Sequence, residues 1–137
     1  MYRHILLAVD GSENSFRATK DAVKIASEET LIELISVLST DGITSEALKA
    51  GTLENLEADY RQKFAREENY IKENHPNYKV TIAHGHAGRM ISNYANDNKV
   101  DLVVIGSRGL NPMLEMVFGS VSTYVTKNAN CSTLLVK

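Results

Sequence analysis

The chain has 137 residues, 43% of them hydrophobic and 23% charged, with 15 Lys plus Arg against 17 Asp plus Glu and a formal net charge of −2. That length encloses one apolar core without staples, so a single domain over residues 1–137 is expected. The near-cancelling charges exclude the global electrostatic footprint of a nucleic-acid binder or a polybasic membrane protein. Cys131 is the single cysteine, which excludes an intramolecular disulfide and a cysteine-cluster zinc site and fits a reducing compartment. Residues 1–10 hold a strand-length apolar run without a signal-type segment, and no stretch approaches the ~20 apolar residues of a membrane span. A cytoplasmic location without membrane contact is therefore expected.

His4 to Val9 is a continuous apolar run, as in a parallel strand covered on both faces, and Asp10-Gly11-Ser12 stops it. From Ser15 to Ala26, Phe16, Ala18, Ala22, Val23, Ile25 and Ala26 recur at three and four, predicting an amphipathic helix that Asn14 or Ser15 can cap. Leu31 to Leu38 reads as a strand ended by Ser39-Thr40-Asp41-Gly42, and Ile43 to Thr52 as a loop. Leu53 to Asn74 carries a sparse stripe of Leu56, Tyr60, Phe64 and Ile71, predicting one long, largely solvated helix closed by His75-Pro76. Lys79 to Ala83 reads as a strand, Gly88 to Asn98 as a helix and Asp101 to Ile105 as a buried strand. Ser120 to Asn128 has helical spacing, and Thr133 to Val136 supplies a fifth short strand. The alternating order predicts an α/β fold, an open five-stranded parallel sheet with helices on both faces, Rossmann-like in its winding.

Such sheets hold ligands beyond the carboxyl ends of their strands. The turns there read Asp10-Gly11-Ser12, Ser39 to Gly42, His84 to Gly88 and Gly106-Ser107-Arg108-Gly109. The last is the most informative: Gly106, two residues, Gly109, nine residues, then Gly119-Ser120. Glycines allow a tight turn and close approach to a ligand, and the amides opening the helix at Ser120 and Ser122 favour a phosphate. No lysine follows as in a Walker A loop, and the dinucleotide pattern Gly-x-Gly-x-x-Gly is absent, so hydrolysis geometry is unsupported. Taken alone, Gly-x2-Gly serves strand-to-helix packing as readily as phosphate binding.

Gly106-x2-Gly109-x9-Gly119-Ser120, preceded by Asp101 to Ile105 and followed by Val121-Ser122, resembles the ATP-binding signature of the universal stress protein family. The likeness covers the whole chain, with Ile5 to Ser12 similar to that family's first strand and turn, and His84-Gly85 falling where its Gly-x-Pro turn occurs. The resemblance implies that Ala8, Val9, Asp10 and the backbone of Val37 face adenine and ribose. It implies that Gly106, Ser107, Arg108, Gly109, Leu110, Asn111 and Pro112, with Gly119, Ser120, Val121 and Ser122, cradle ribose and phosphates. Ala87 stands where the family usually has proline, and Ser132-Thr133 replaces the usual Pro-Val entering the last strand, where the family pairs subunits.

His84 and His86 lack a third ligand at a diagnostic spacing and read as solvent-exposed turn histidines rather than metal ligands. Asp10 either holds magnesium or the nucleoside, or caps the next helix turn. Arg108 either neutralises phosphate or is solvated, and Ser120 and Ser122 suit phosphate hydrogen bonding better than phosphoryl acceptance. The apolar insert Leu110, Met113, Leu114, Met116, Val117 and Phe118 reads as a lid, a subunit contact or plain packing. The expected function is a homodimeric ATP-binding stress-response module, paired through Thr133 to Val136, with magnesium accompanying ATP, slow or no hydrolysis and no assigned catalytic residue. The alternatives are a nucleotide-using transferase or hydrolase with a metal on Asp10 or Asp41, and an interaction protein with an empty crevice.

Overall fold

The computed structural model of the protein describes residues 1–39, 52–107 and 119–137. Five strands, β1 (His4–Ala8), β2 (Leu31–Leu38), β3 (Tyr78–His84), β4 (Leu102–Gly106) and β5 (Ser132–Val136), form one parallel sheet in the order β3-β2-β1-β4-β5. Between them run helices α1 (Glu13–Ile25), α2 (Thr52–Lys63), α3 (Ala65–Asn74), α4 (Ala87–Asp97) and α5 (Ser120–Asn128). The predicted α/β sheet is the one found.

Because successive strand residues point to opposite faces, each apolar run feeds two cores. Ile5, Leu7, Ile32, Leu34, Leu102 and Val104 pack with α1 (Ala18, Ala22) and with Phe64 and Ile71 from the α2–α3 region. Leu6, Ile35, Val103 and Ile105 pack on the other side with α4 (Ile91, Ala95) and α5 (Val125). Cys131 packs against this second core, where burial pushes its thiol pKa up.

Two expectations about helices are corrected. The cap of α1 is Ser12, whose Oγ accepts from Ser15 N–H at 3.1 Å; Asn14 and Ser15 lie inside the helix and are buried. The single long helix after residue 52 is two helices broken at Phe64, which sits at φ −114° and ψ 27° with its ring fully buried. Arg61 bridges that break to Glu68 through Nε at 2.8 Å and Nη2 at 2.6 Å, holding the Glu68 carboxyl below its ordinary range. The segment is largely solvated as expected, most of its described residues being exposed, while Phe64, Glu67 and Ile71 are fully buried. His75 ends α3 in extended geometry before Pro76, as expected. The loop expected over Ile43 to Thr52 lies outside the described residues, apart from Thr52, which opens α2.

One buried charge belongs to the sheet itself. Glu33 in β2 is fully enclosed and accepts hydrogen bonds from His4 Nε2 (2.8 Å), Thr81 Oγ1 and Tyr94 OH, with Lys79 Nζ 3.7 Å away. Burial raises its pKa, and the bonds from Thr81, Tyr94 and His4, with the Lys79 charge, reverse that and hold the carboxyl below the usual range. A carboxylate shifted down on folding contributes stability that is complete above its unfolded pKa and is lost as pH falls through its folded one. Wild type is therefore expected to lose stability below the ordinary glutamate range. Glu33→Gln is expected to start about 1–3 kcal/mol less stable at neutral pH and to show a flatter acid limb. Denaturant midpoints measured across pH check this, and parallel acid limbs would refute it.

Candidate functional site

The strand order reverses between β1 and β4, so the crevice beyond their carboxyl ends is the place for a ligand. At the end of β1 the chain turns through Asp10, Gly11 and Ser12. Asp10 Oδ1 accepts from Ser12 N–H at 2.9 Å, which bends the chain into α1. Gly11 sits at φ +84°, and a Cβ there would lie 2.2 Å from the Lys63 carbonyl oxygen, so both conformation and space demand glycine. Beneath the turn lies Glu67 of α3, fully buried. Its Oε2 accepts from Gly11 N–H and from Ser15 Oγ–H, both at 2.9 Å, and Ser15 Oγ accepts from Asp10 N–H at 3.1 Å. Arg66 Nε stands 3.9 Å from the other oxygen. The first turn is thus clamped from a helix more than fifty residues away in the chain.

At the end of β4, Gly106 lets α1 approach: a Cβ would meet the Asn14 carbonyl oxygen at 2.6 Å and the Asn14 Cβ at 2.9 Å. Packing alone therefore requires this glycine. Ser107 faces away from the crevice; its N–H (2.8 Å) and Oγ–H (3.2 Å) both go to the Val136 carbonyl of β5. Gly119 opens α5 without a side-chain cap, and Ser122, buried, donates its hydroxyl to the Gly119 carbonyl at 2.9 Å. The first amides of α5 thus meet no side chain from their cap residue, at the positive end of the helix.

These turns border a cavity of about 210 Å³. Its apolar lining comes from Ala8, Ile35, Val37, Ile91 and Ile105, and its polar lining from Asp10, Ser12, Ser15 and Ser122, with Gly119 beside them. Tyr60 lines the cavity from α2, donating its hydroxyl to the Val37 carbonyl at 2.9 Å. The volume is below the roughly 300 Å³ at which pockets for drug-sized ligands begin. The described walls therefore match a base and part of a sugar better than a whole nucleotide.

Of the residues singled out from the sequence, the fold gathers Ala8, Val9, Asp10, Val37, Gly106, Gly119, Val121 and Ser122 around this cavity. Ser107 is turned to β5, and Ser120 is exposed at the start of α5, outside the cavity lining. Arg108, Gly109, Leu110, Asn111 and Pro112, the remaining apolar insert and Asp41 lie outside the described residues. The reading of His84 and His86 as solvent-exposed turn residues holds for His86 alone. His84 ends β3 half-buried with Nε2 2.6 Å from Glu57 Oε1, whereas His86 caps α4 by accepting from Arg89 N–H at 3.2 Å. No group of three metal-ligating side chains occurs among the described residues. Ala87 takes the first position of α4, where proline is well tolerated and alanine serves equally.

Sequence reasoning missed Tyr60, Glu67 and Ser15. Glu67 did leave a signal: it falls three residues after Phe64 and four before Ile71, a carboxylate on an apolar stripe. Such a residue is buried with partners or not buried at all. The contact at Gly106 generates a prediction. Gly106→Ala overpacks β4 against α1 and is expected to cost about 1–3 kcal/mol by denaturant titration in the absence of any ligand. An unchanged midpoint would show that α1 yields freely.

The universal stress protein family model matches residues 1–137. The universal stress protein YxiE of Bacillus subtilis is 28% identical over 148 aligned positions, covering 100% of both chains. Among solved structures, the universal stress protein UspA from Lactobacillus plantarum superposes with a TM-score of 0.79 at 26% identity, covering 99% of this chain and 98% of that one. Two more distant structures share the fold. One is a universal stress protein in complex with cAMP (TM-score 0.70, 21% identity, covering 99% of this chain and 97% of that one). The other is the universal stress protein from Archaeoglobus fulgidus in complex with dAMP (TM-score 0.73, 20% identity, covering 99% and 98%). With its full length inside the match, the chain belongs to the universal stress protein family.

Proposed function

We propose that this protein is a cytoplasmic, homodimeric ATP-binding module of the stress response, with slow or no hydrolysis. The observation that carries the reading is the cavity at the strand-order reversal, whose lining combines apolar side chains such as Val37 and Ile105 with polar ones such as Asp10 and Ser122. An adenine suits the apolar lining and a phosphorylated sugar the polar groups. The start of α5 offers amide donors and a positive dipole end to phosphate, and Gly119, its cap residue, adds no side chain to block it. Relatives in complex with cAMP and dAMP support a nucleotide of the adenine class.

In this reading Ala8, Val9 and Val37 hold the base, Asp10 meets the ribose or an accompanying magnesium ion, and the backbone around Gly106 and Gly119 to Ser122 cradles the phosphates. Arg108, Gly109, Leu110, Asn111 and Pro112 complete that cradle through the sequence signature that they occupy. Ser120 supplies its amide rather than a nucleophile. The Ser122 hydroxyl is committed to the Gly119 carbonyl, which suits a structural role better than a nucleophilic one. No helix among the described residues is long and apolar enough to cross a membrane.

Heating the protein with magnesium and ATP at a hundredfold the dissociation constant is expected to add about 2.7 kcal/mol of stability. An unmoved midpoint would leave the crevice without this ligand. The homodimer is assigned to the edge strand β5, whose first residue, Ser132, is exposed. Light scattering at micromolar concentration is expected to give twice the mass of the chain, and a monomeric mass would remove the dimer.

A further inference from the structure

The parity of β2 determines what the cavity offers a base. Val9 N–H donates to the Ile35 carbonyl at 2.9 Å, and Gly85 N–H to the Leu38 carbonyl at 3.0 Å. The backbone groups of Ile35 therefore face β1 and those of Leu38 face β3, which turns the Val37 N–H and carbonyl toward β1. The next rung of that ladder would bring Gly11 N–H to the Val37 carbonyl. Glu67 Oε2 takes Gly11 N–H instead, at 2.9 Å, so β1 peels away and the ladder stops. The Val37 carbonyl is left facing the cavity, and Tyr60 OH donates to it at 2.9 Å.

Resting on the nucleotide reading above, we infer that Tyr60 is the residue that sets base selectivity in this site, by competing with a purine 6-amino group for the Val37 carbonyl. A 6-aminopurine has a donor at that position and must share or displace the phenol. A 6-oxopurine has no such donor, but its oxygen can accept from the same hydroxyl. Tyr60 thereby lowers the preference for adenine over hypoxanthine that a bare Val37 carbonyl would impose. The tyrosine sits on α2, most of whose described residues are exposed, and its half-buried ring packs against the edge of the first core, which holds the hydroxyl at the Val37 carbonyl.

The test compares ATP and ITP binding by calorimetry to wild type, Tyr60→Phe and Tyr60→Leu, with folding checked by denaturant midpoint. Tyr60→Phe keeps the ring and removes only the hydroxyl. It is expected to bind ATP about two- to tenfold more tightly, the range of one net hydrogen bond, and ITP no more tightly than wild type. Tyr60→Leu, which also removes the wall, is expected to weaken both relative to Tyr60→Phe. Equal changes for the two nucleotides in Tyr60→Phe, or a loss of ATP affinity, would overturn the role of Tyr60 while leaving nucleotide binding standing. Failure of wild type and both variants to bind either nucleotide would overturn the nucleotide reading and this inference with it.

Discussion

The carboxylate of Glu67 determines where β1 ends. Removed from water, it needs donors, and it finds them in the Gly11 amide and the Ser15 hydroxyl rather than in solvent. The Gly11 amide so engaged cannot continue the ladder to β2. From that single diversion follow the opening between β1 and β2, the exposed carbonyl of Val37 and the placement of Asp10 at the crevice. The neighbouring backbone is adapted to the same contact, because Gly11 is pressed against the Lys63 carbonyl, where no other residue would fit.

Two such buried carboxylates hold the frame, Glu33 within the sheet and Glu67 on α3. Glu33 ties β1, β2, β3 and α4 together below the cores, and Glu67 ties α3 to the first turn above them. A buried ion needs donors at hand: Glu33 takes them on both oxygens, and Glu67 on Oε2, with Arg66 Nε 3.9 Å from its Oε1. They act as register pins: a strand slipped by one residue would turn Glu33 toward the α1 side, into a place now held by Ile32 or Leu34, away from Tyr94. The site thus inherits its geometry from a frame held by polar contacts as well as apolar packing.

Periodicity revealed all five strands and their order of appearance because burial on both faces writes itself into continuous apolar runs such as Ile5 to Val9. It also placed α5 to the residue. It failed at Phe64, because the stripe of Leu56, Tyr60 and Phe64 keeps its spacing of four up to the break, and local pattern carries no mark of a lost turn. It misplaced the cap of α1 because Ser12, Asn14 and Ser15 are all chemically able to cap, and only the tertiary contact of Ser15 with Glu67 decides among them. Half of the crevice was legible from turns and glycines. The other half, Tyr60 with Ser15 and Glu67, depends on pairs 23 and 52 residues apart, which no local reading contains.

Lys79 lies on β3, an outer strand of the sheet, with its side chain 53% exposed and its ammonium 3.7 Å from Glu33. An incoming strand that extended the sheet on that side would strip water from this cation while it remains bound to an interior carboxylate. The cost of doing so guards the margin against runaway association, a protection that a neutral residue at position 79 would remove.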